Sequence, residues 1–216
     1  MTERYIPALG YSWLTALYDP VLRFTTREHT FKSRLIAQAK IREAHRVLDV
    51  GCGTGTLTVA VKRAHPGAEV TGLDGDPEVL RRAAAKASAA GVAIRFDRGL
   101  ADDLPYPDAS FDRVLTSLLL HHLSTEAKGR ALREFFRVLR PGGQVHIADW
   151  GRAQDPLMRA AFLVVQVLDG FATTADNVEG RLPAMLVDAA FQDVRECGRL
   201  RTVYGTLALY RGERPA

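Results

Sequence analysis

Two hydrophobic periods alternate along this chain of 216 residues. Short runs dense in apolar and branched residues predict strands: "RVLDV" (46–50), "EVTGLD" (69–74), "AIRFDR" (93–98), "FDRVLTS" (111–117) and "QVHIAD" (144–149). Helical spacing fills the gaps. Leu57, Ala60, Val61 and Ala64 share a face until His65-Pro66-Gly67 stops the run. "DPEVLRRAAAKASAAG" opens with Asp76 as N-cap and Pro77 at the first helical position, and closes at Gly91. "STEAKGRALREFFRVLRPGG" places Leu132, Phe135, Phe136 and Leu139 on one face and ends in Pro141-Gly142-Gly143. Such alternation predicts an α/β fold, a parallel sheet with helices on both faces. Residues 1–45 carry aromatic helical pieces and read as a helical N-terminal cap, with the main domain over 46–216 and a lid-like insertion at about 151–190. Two closing strands, "DVRECGRL" and "TVYGTLALYR", joined around the short "LRT", are expected to pair antiparallel.

Composition narrows the class without naming the chemistry. The chain can bury a large core without covalent staples. Cys52 and Cys197 lie far apart with no C-x-x-C, which predicts neither a disulfide framework nor a thiolate metal site and fits a reducing cytoplasm. The first residues mix charge and lack the apolar core of a signal peptide, and no run approaches the roughly 18 apolar residues of a membrane span. The expectation is a cytoplasmic protein, in transient contact at most with a lipid-soluble molecule. A net charge of +4 from 29 basic and 25 acidic residues is spread along the chain, with no aromatic-basic cluster. Nucleic acid is therefore not an expected partner, and a small molecule is. Nothing in the chain fixes an oligomeric state.

The candidate chemistry begins at "VLDVGCGTGT" (47–56). In open parallel sheets ligands sit beyond the carboxyl ends of the strands, and the first strand-to-helix turn is the usual place. Gly51, Gly53 and Gly55 free φ and clear side chains, so backbone can approach a ligand at a helix N-terminus. Any tight junction might use glycine, but Asp74, 23 residues after Gly51 at the end of the second strand, adds a carboxylate suited to a ribose diol. Asp74 stands between a strand and "GDP", with little local work expected of it. The dinucleotide pattern G-x-G-x-x-G fails, because position 56 is Thr. Asp49, two residues before the turn, would repel a pyrophosphate and attract the amino or sulfonium side of a zwitterion. S-adenosylmethionine has that distribution of charge.

Together "VLDVGCGTG", the acid of "GLDGD", "LPYPDASFDRVLTSLLLHHL" and "REFFRVLRPGGQVHIADW" resemble the class I S-adenosylmethionine-dependent methyltransferases. The resemblance covers residues 46 to 150 in the family's order and spacing. It implies a Rossmann-like mixed sheet of seven strands, order 3-2-1-4-5-7-6 with strand 7 reversed, and S-adenosyl-L-methionine as methyl donor with S-adenosyl-L-homocysteine as product. Within that class "YDPVLR", "FKSRLI" and "TVYGTLALYRG" resemble the ubiquinone/menaquinone biosynthesis C-methyltransferase branch. The implied cofactor contacts are Asp49, Gly51, Cys52, Gly53, Gly55, Asp74 and Gly75, with Ala101, Asp102, Ser117 and Tyr18. The chain departs from the pattern at Leu100, where an acid usually meets the adenine amine; Asp102 is the substitute and the Ala101 backbone faces the ring.

Methyl transfer from a sulfonium needs position more than activation, and a general base serves only an acceptor that must lose a proton. Candidates to contact the acceptor are Ser117, His121 and His122 after strand 4, and Asp149 and Trp150 after strand 5; His121 is the candidate base. His122 reads equally as packing, and Asp149 as a loop anchor. Adjacent histidines on a helix point apart and no third ligand stands at a usual spacing, so no metal is expected. Tyr11, Trp13, Tyr18 and Phe24, with Phe162, Leu163, Val164 and Val165, are placed to form an apolar lid. The expected reaction is methylation of a small apolar or aromatic metabolite, quinone-like C-methylation first. The alternatives are O- or N-methylation of another metabolite or a phospholipid head group, a nicotinamide-dependent oxidoreductase, and a non-catalytic cofactor-binding protein.

Overall fold

The computed structural model describes residues 27–216. In chain order these form α1 (Glu28–Ala39), β1 (Arg46–Val50), α2 (Thr56–Ala64), β2 (Glu69–Asp74), α3 (Pro77–Ala89), β3 (Arg95–Arg98) and β4 (Phe111–Ser117). A 3-10 turn (Leu120–His122), α4 (Thr125–Val138) and β5 (Leu139–Trp150) follow. Four short helices, α5 (Pro156–Ala161), α6 (Leu163–Asp169), α7 (Phe171–Glu179) and α8 (Leu182–Asp188), lead to β6 (Gln192–Thr202) and β7 (Gly205–Glu213).

Across the described residues the strands form one seven-stranded sheet in the order β3-β2-β1-β4-β5-β7-β6, as the resemblance implied. The β1–β2, β1–β4, β2–β3 and β4–β5 pairs are parallel, and β5–β7 and β6–β7 are antiparallel. Strand β1 is buried at every residue but the first, which is why it reads as an apolar run with one acid in it. Its side chains alternate: Leu48 and Val50 enter a core with α4 and α8, while Val47 enters a second core with α1 and α2. Asp49 shares the face of Val47, and that parity turns its carboxylate toward α2.

The cap read from sequence at Asp76 holds, and Ser124 caps α4 as well. Asp76 accepts from the Glu78 N–H at 2.7 Å ahead of Pro77, and Ser124 accepts from the Ala127 N–H at 3.3 Å. Three boundaries differ from expectation. Strand β3 starts at Arg95 rather than 93. Pro141-Gly142-Gly143 does not form a loop between helix and strand but lies within β5, with Gly142 at φ +74°. There its N–H bonds to Arg214 O at 2.8 Å, and Arg214 returns an N–H to Gly143 O at 2.9 Å, so the chain end recruits the segment into the sheet. The final hairpin turns at Val203-Tyr204 rather than at "LRT", where Thr202 Oγ1 donates to Gly205 O at 2.9 Å. Of the expected cap, α1 alone falls in the described residues. It lays Phe31, Leu35 and Ala39 into the core beside Val47 and Trp150. Tyr11, Trp13, Tyr18 and Phe24 lie outside the described residues. Among the described residues no helix is long and apolar enough to cross a membrane.

One core group carries a pH liability. His146 on β5 is fully buried with neither ring nitrogen bonded, and burial, then the charges of Arg113 and Arg211, push its pKa down to about 3. The unfolded chain takes up this proton near the ordinary histidine value, while the folded chain does not. Stability is therefore unaffected above about pH 6.5 and falls by about 1.4 kcal/mol per pH unit from there toward pH 3. His146→Leu is expected to reduce this loss. In urea titrations at pH 6.5 and 5.0 the wild type should lose roughly 2 kcal/mol more than the variant; equal losses would show that the imidazole does not carry the acid limb.

Candidate active site

At the carboxyl end of β1 the chain turns through Gly51, Gly53 and Gly55 at φ +68°, +52° and +75°, which side-chain-bearing residues rarely adopt. A Cβ on Gly51 would sit 2.8 Å from Leu119 Cδ1, and one on Gly55 would sit 2.9 Å from Ala83 Cβ, whereas one on Gly53 would meet nothing within 4 Å. The outer glycines thus permit packing, and Gly53 leaves open space. Lys86 of α3 pins the turn from beneath, donating to Thr54 Oγ1 at 2.9 Å and Thr56 Oγ1 at 2.8 Å. The role of Lys86 left no mark in the sequence, since it lies 30 and 32 positions from the threonines it meets.

Asp49 is buried, and Thr58 donates to its Oδ2 at 2.6 Å. The other oxygen, Oδ1, is buried without a partner. Burial raises its pKa to about 6, against the pull of Thr58 and the charge of Lys32. Asp74 departs from expectation, because it does have local work: Oδ2 accepts from the Gly53 N–H at 2.9 Å and Oδ1 from the Asp76 N–H at 3.0 Å. It ties the ends of β1 and β2 together. Burial raises its pKa despite these bonds. Each carboxylate oxygen keeps a further lone pair for a ligand. Gly75 follows directly, and Cys52 is buried, its thiol pKa pushed up by burial.

The second half of the site follows β4. Leu118 takes φ +54°, a conformation that costs a branched residue of order 1 kcal/mol, and swings the chain into the 3-10 turn. His121 is buried there, its Nδ1 2.7 Å from Asp149 Oδ1. Asp149 also accepts from the Leu120 N–H at 2.8 Å and the Trp150 N–H at 2.7 Å, and Asn177 of α7 donates to Trp150 O at 2.8 Å. Burial alone would raise the Asp149 pKa, but its contacts with His121 and the Trp150 N–H hold it below the carboxylate range. Asp149 thus anchors both the imidazole and, through the Leu120 N–H, the loop after β4. The expectation that the two histidines diverge is wrong: in the tight turn their rings lie 4.0 Å apart, and Asp169 at the end of α6 lies 3.6 Å from His121 Nε2 and 3.7 Å from His122 Nδ1. Burial lowers the His122 pKa to about 3, leaving it a neutral imidazole at ordinary pH. Asp169 and Asn177 were missed, since short helices far along the chain bring them in.

The remaining predicted residues separate. Ala101 is nearly buried, Leu100 is 47% exposed, and Asp102 pairs through Oδ2 with Arg130 of α4 at 2.8 Å. Ser117 closes β4 opposite Ala148. Phe162 and Val165 are buried in the core beside Trp150, whereas Leu163, Val164, Val167, Leu168 and Phe171 are exposed on α6 and the start of α7.

A family model described as a methyltransferase domain matches residues 47–143, from β1 to the glycines of β5. An uncharacterized methyltransferase of Synechocystis is 30% identical over 187 residues, covering 86% of this chain and 85% of that protein. The apo crystal structure of the S-adenosylmethionine-dependent methyltransferase SibL superposes with a TM-score of 0.68 at 30% identity, over 86% of this chain and 55% of that one. This chain belongs to the class I S-adenosylmethionine-dependent methyltransferases. A demethylmenaquinone methyltransferase of Deinococcus radiodurans is 38% identical to it over 126 residues, 58% of this methyltransferase and 52% of that protein. The chain thus spans about half the length of the Deinococcus and SibL proteins.

Proposed function

We propose that this methyltransferase moves the methyl group of S-adenosylmethionine to a small apolar or aromatic metabolite, with the ring carbon of a quinol-like acceptor favoured. The observation that carries the proposal is Asp49 Oδ1, a buried anionic oxygen without a partner on the strand entering a turn left open at Gly53. A buried unpaired acceptor is costly unless a ligand completes it, and a cationic amino group fits. The same turn suits the rest of the donor. Asp74 offers a remaining lone pair on each oxygen to the ribose hydroxyls. The backbone of Gly51, Cys52, Gly53 and Gly75 lines the approach, and Ala101 takes the adenine side, with the remaining oxygen of Asp102 beside it. Ser117 and the expected Tyr18 complete the proposed contacts.

When bound, the donor supplies an electrophilic methyl group. The protein's residues then hold the acceptor and its proton. Asp149 accepts from His121 Nδ1, which leaves Nε2 with its lone pair directed toward Asp169 and the α6 helix. An acceptor hydroxyl there gives its proton to Nε2, and the phenolate so formed is the stronger carbon nucleophile. The exposed apolar residues of α6 and α7 suit an apolar ring, and the name of the Deinococcus relative favours a quinol.

Two measurements test this. Asp74→Ala is expected to weaken S-adenosylhomocysteine binding by about 1–3 kcal/mol in calorimetry, the usual loss for hydrogen bonds to a charged group; unchanged affinity would remove the ribose role. Mass spectrometry after incubation with methyl-labelled donor and a panel of quinols, phenols and amines should place the label on a quinol ring carbon. Label on oxygen or nitrogen would reassign the acceptor, and intact donor binding without any labelled product would favour a non-catalytic protein.

A further inference from the structure

One ring nitrogen each of His121 and His122 and a carboxylate oxygen of Asp169 all lie within 4.8 Å of one another. His121 Nε2 presents a lone pair, because that ring is committed to Asp149 through its opposite nitrogen. At 3.6 and 3.7 Å the histidine–carboxylate separations are too long for hydrogen bonds, so no shared proton draws these groups together directly. The two separations, one to each carboxylate oxygen, approach a cation's spacing instead. Tetrahedral zinc, with bonds of about 2.0–2.2 Å to imidazole and carboxylate, sets its donors roughly 3.4 Å apart. His122 is 24% and Asp169 11% exposed, which leaves an entry path for an ion.

We propose that His121 Nε2, His122 Nδ1 and Asp169 form a binding site for one borderline divalent first-row cation, of the zinc or cobalt class. Two imidazoles and one carboxylate suit such ions, whereas magnesium and calcium demand oxygen donors. Three protein ligands leave at least one position open. The carboxylate behind a metal-bound histidine, which fixes its tautomer and orientation, is present as Asp149, itself held by the Leu120 and Trp150 N–H groups. Because Asp169 ends α6 and the histidines follow β4, the ion ties that helix to the carboxyl end of the central strand. It also takes the nitrogen proposed above as proton acceptor, so a filled site and proton acceptance at His121 exclude each other. The site itself does not depend on methyl transfer.

Chelator-stripped protein titrated with Co2+ tests this by calorimetry and visible absorption. One equivalent is expected to bind with ligand-field bands, Zn2+ to displace it and Mg2+ to leave it in place. His122→Ala and Asp169→Asn should each weaken Co2+ binding by about tenfold or more, and Asp149→Asn, which retains all three donors, by about 10–100-fold. Asp169→Asn is close to isosteric, so it tests the site with little change of packing, and S-adenosylhomocysteine titration verifies that each variant is folded. No binding of Co2+, or binding unchanged in Asp169→Asn and His122→Ala, would overturn the site. Metal binding without S-adenosylhomocysteine binding in the wild type would support the site and sink the functional proposal separately.

Discussion

His121→Ala is expected to lower kcat by about 10²- to 10⁴-fold, the usual contribution of a positioned proton acceptor. Donor affinity should not change, since the glycine turn and Asp74 lie on the other side of β4's carboxyl end. The discriminating readout is the acceptor's acidity. A phenol acidic enough to be ionised in solution needs no proton acceptor, so the deficit should shrink with it. Asp149→Asn should give a partial loss of the same kind, because the imidazole loses the carboxylate that orients it. Full turnover in His121→Ala, or an equal loss with acidic and ordinary acceptors, would remove the proton-acceptor role.

Lys128→Met is expected to cost about 3–5 kcal/mol of stability, the range for breaking one side of a buried ion pair. Lys128 of α4 is fully buried, and its Nζ lies 2.9 Å from Asp176 Oδ2 of α7 and also donates to Thr173 O. Burial pushes the Asp176 pKa upward, but hydrogen bonds from Lys128 and Thr125 outweigh it and hold the group ionised. Removing the ammonium leaves that buried carboxylate with only the Thr125 hydroxyl at 2.8 Å and the half-exposed Arg181 at 3.2 Å. Helix α7 also carries Asn177, which donates to Trp150 O, so its loosening reaches the strand that positions Asp149. For a chain of this size the melting temperature should fall by roughly 10 °C. The double variant Lys128→Met/Asp176→Leu should regain part of the loss, since an apolar pair of similar volume often replaces a buried ion pair at little cost. A melting temperature unchanged in the single variant would show that the pair does not hold α7.

Much of this was legible from residue order. The parallel strands announced themselves as apolar runs, and Asp76 marked a helix start because a cap acts within three residues of itself. The glycine turn was legible for the same reason. What escaped depends on distance along the chain. Asp74 bonds to Gly53, 21 residues earlier, so its structural duty left no local mark. The run 156–188 is built from helices of six to nine residues, too short for periodicity to stand out, and so Asp169 and Asn177 were invisible as partners of His121 and Asp149. The convergence of His121 and His122 depends on a 3-10 turn after a left-handed Leu118, and regular helical geometry predicts the opposite.

The most direct measurement is a crystal structure with S-adenosylhomocysteine bound. It should place the ribose hydroxyls on Asp74, the amino group within hydrogen-bond reach of Asp49 Oδ1, and the sulfur on the side of the cleft that faces His121. The ligand seated away from the β1 and β2 ends, or Asp49 Oδ1 still without a partner in the complex, would contradict it.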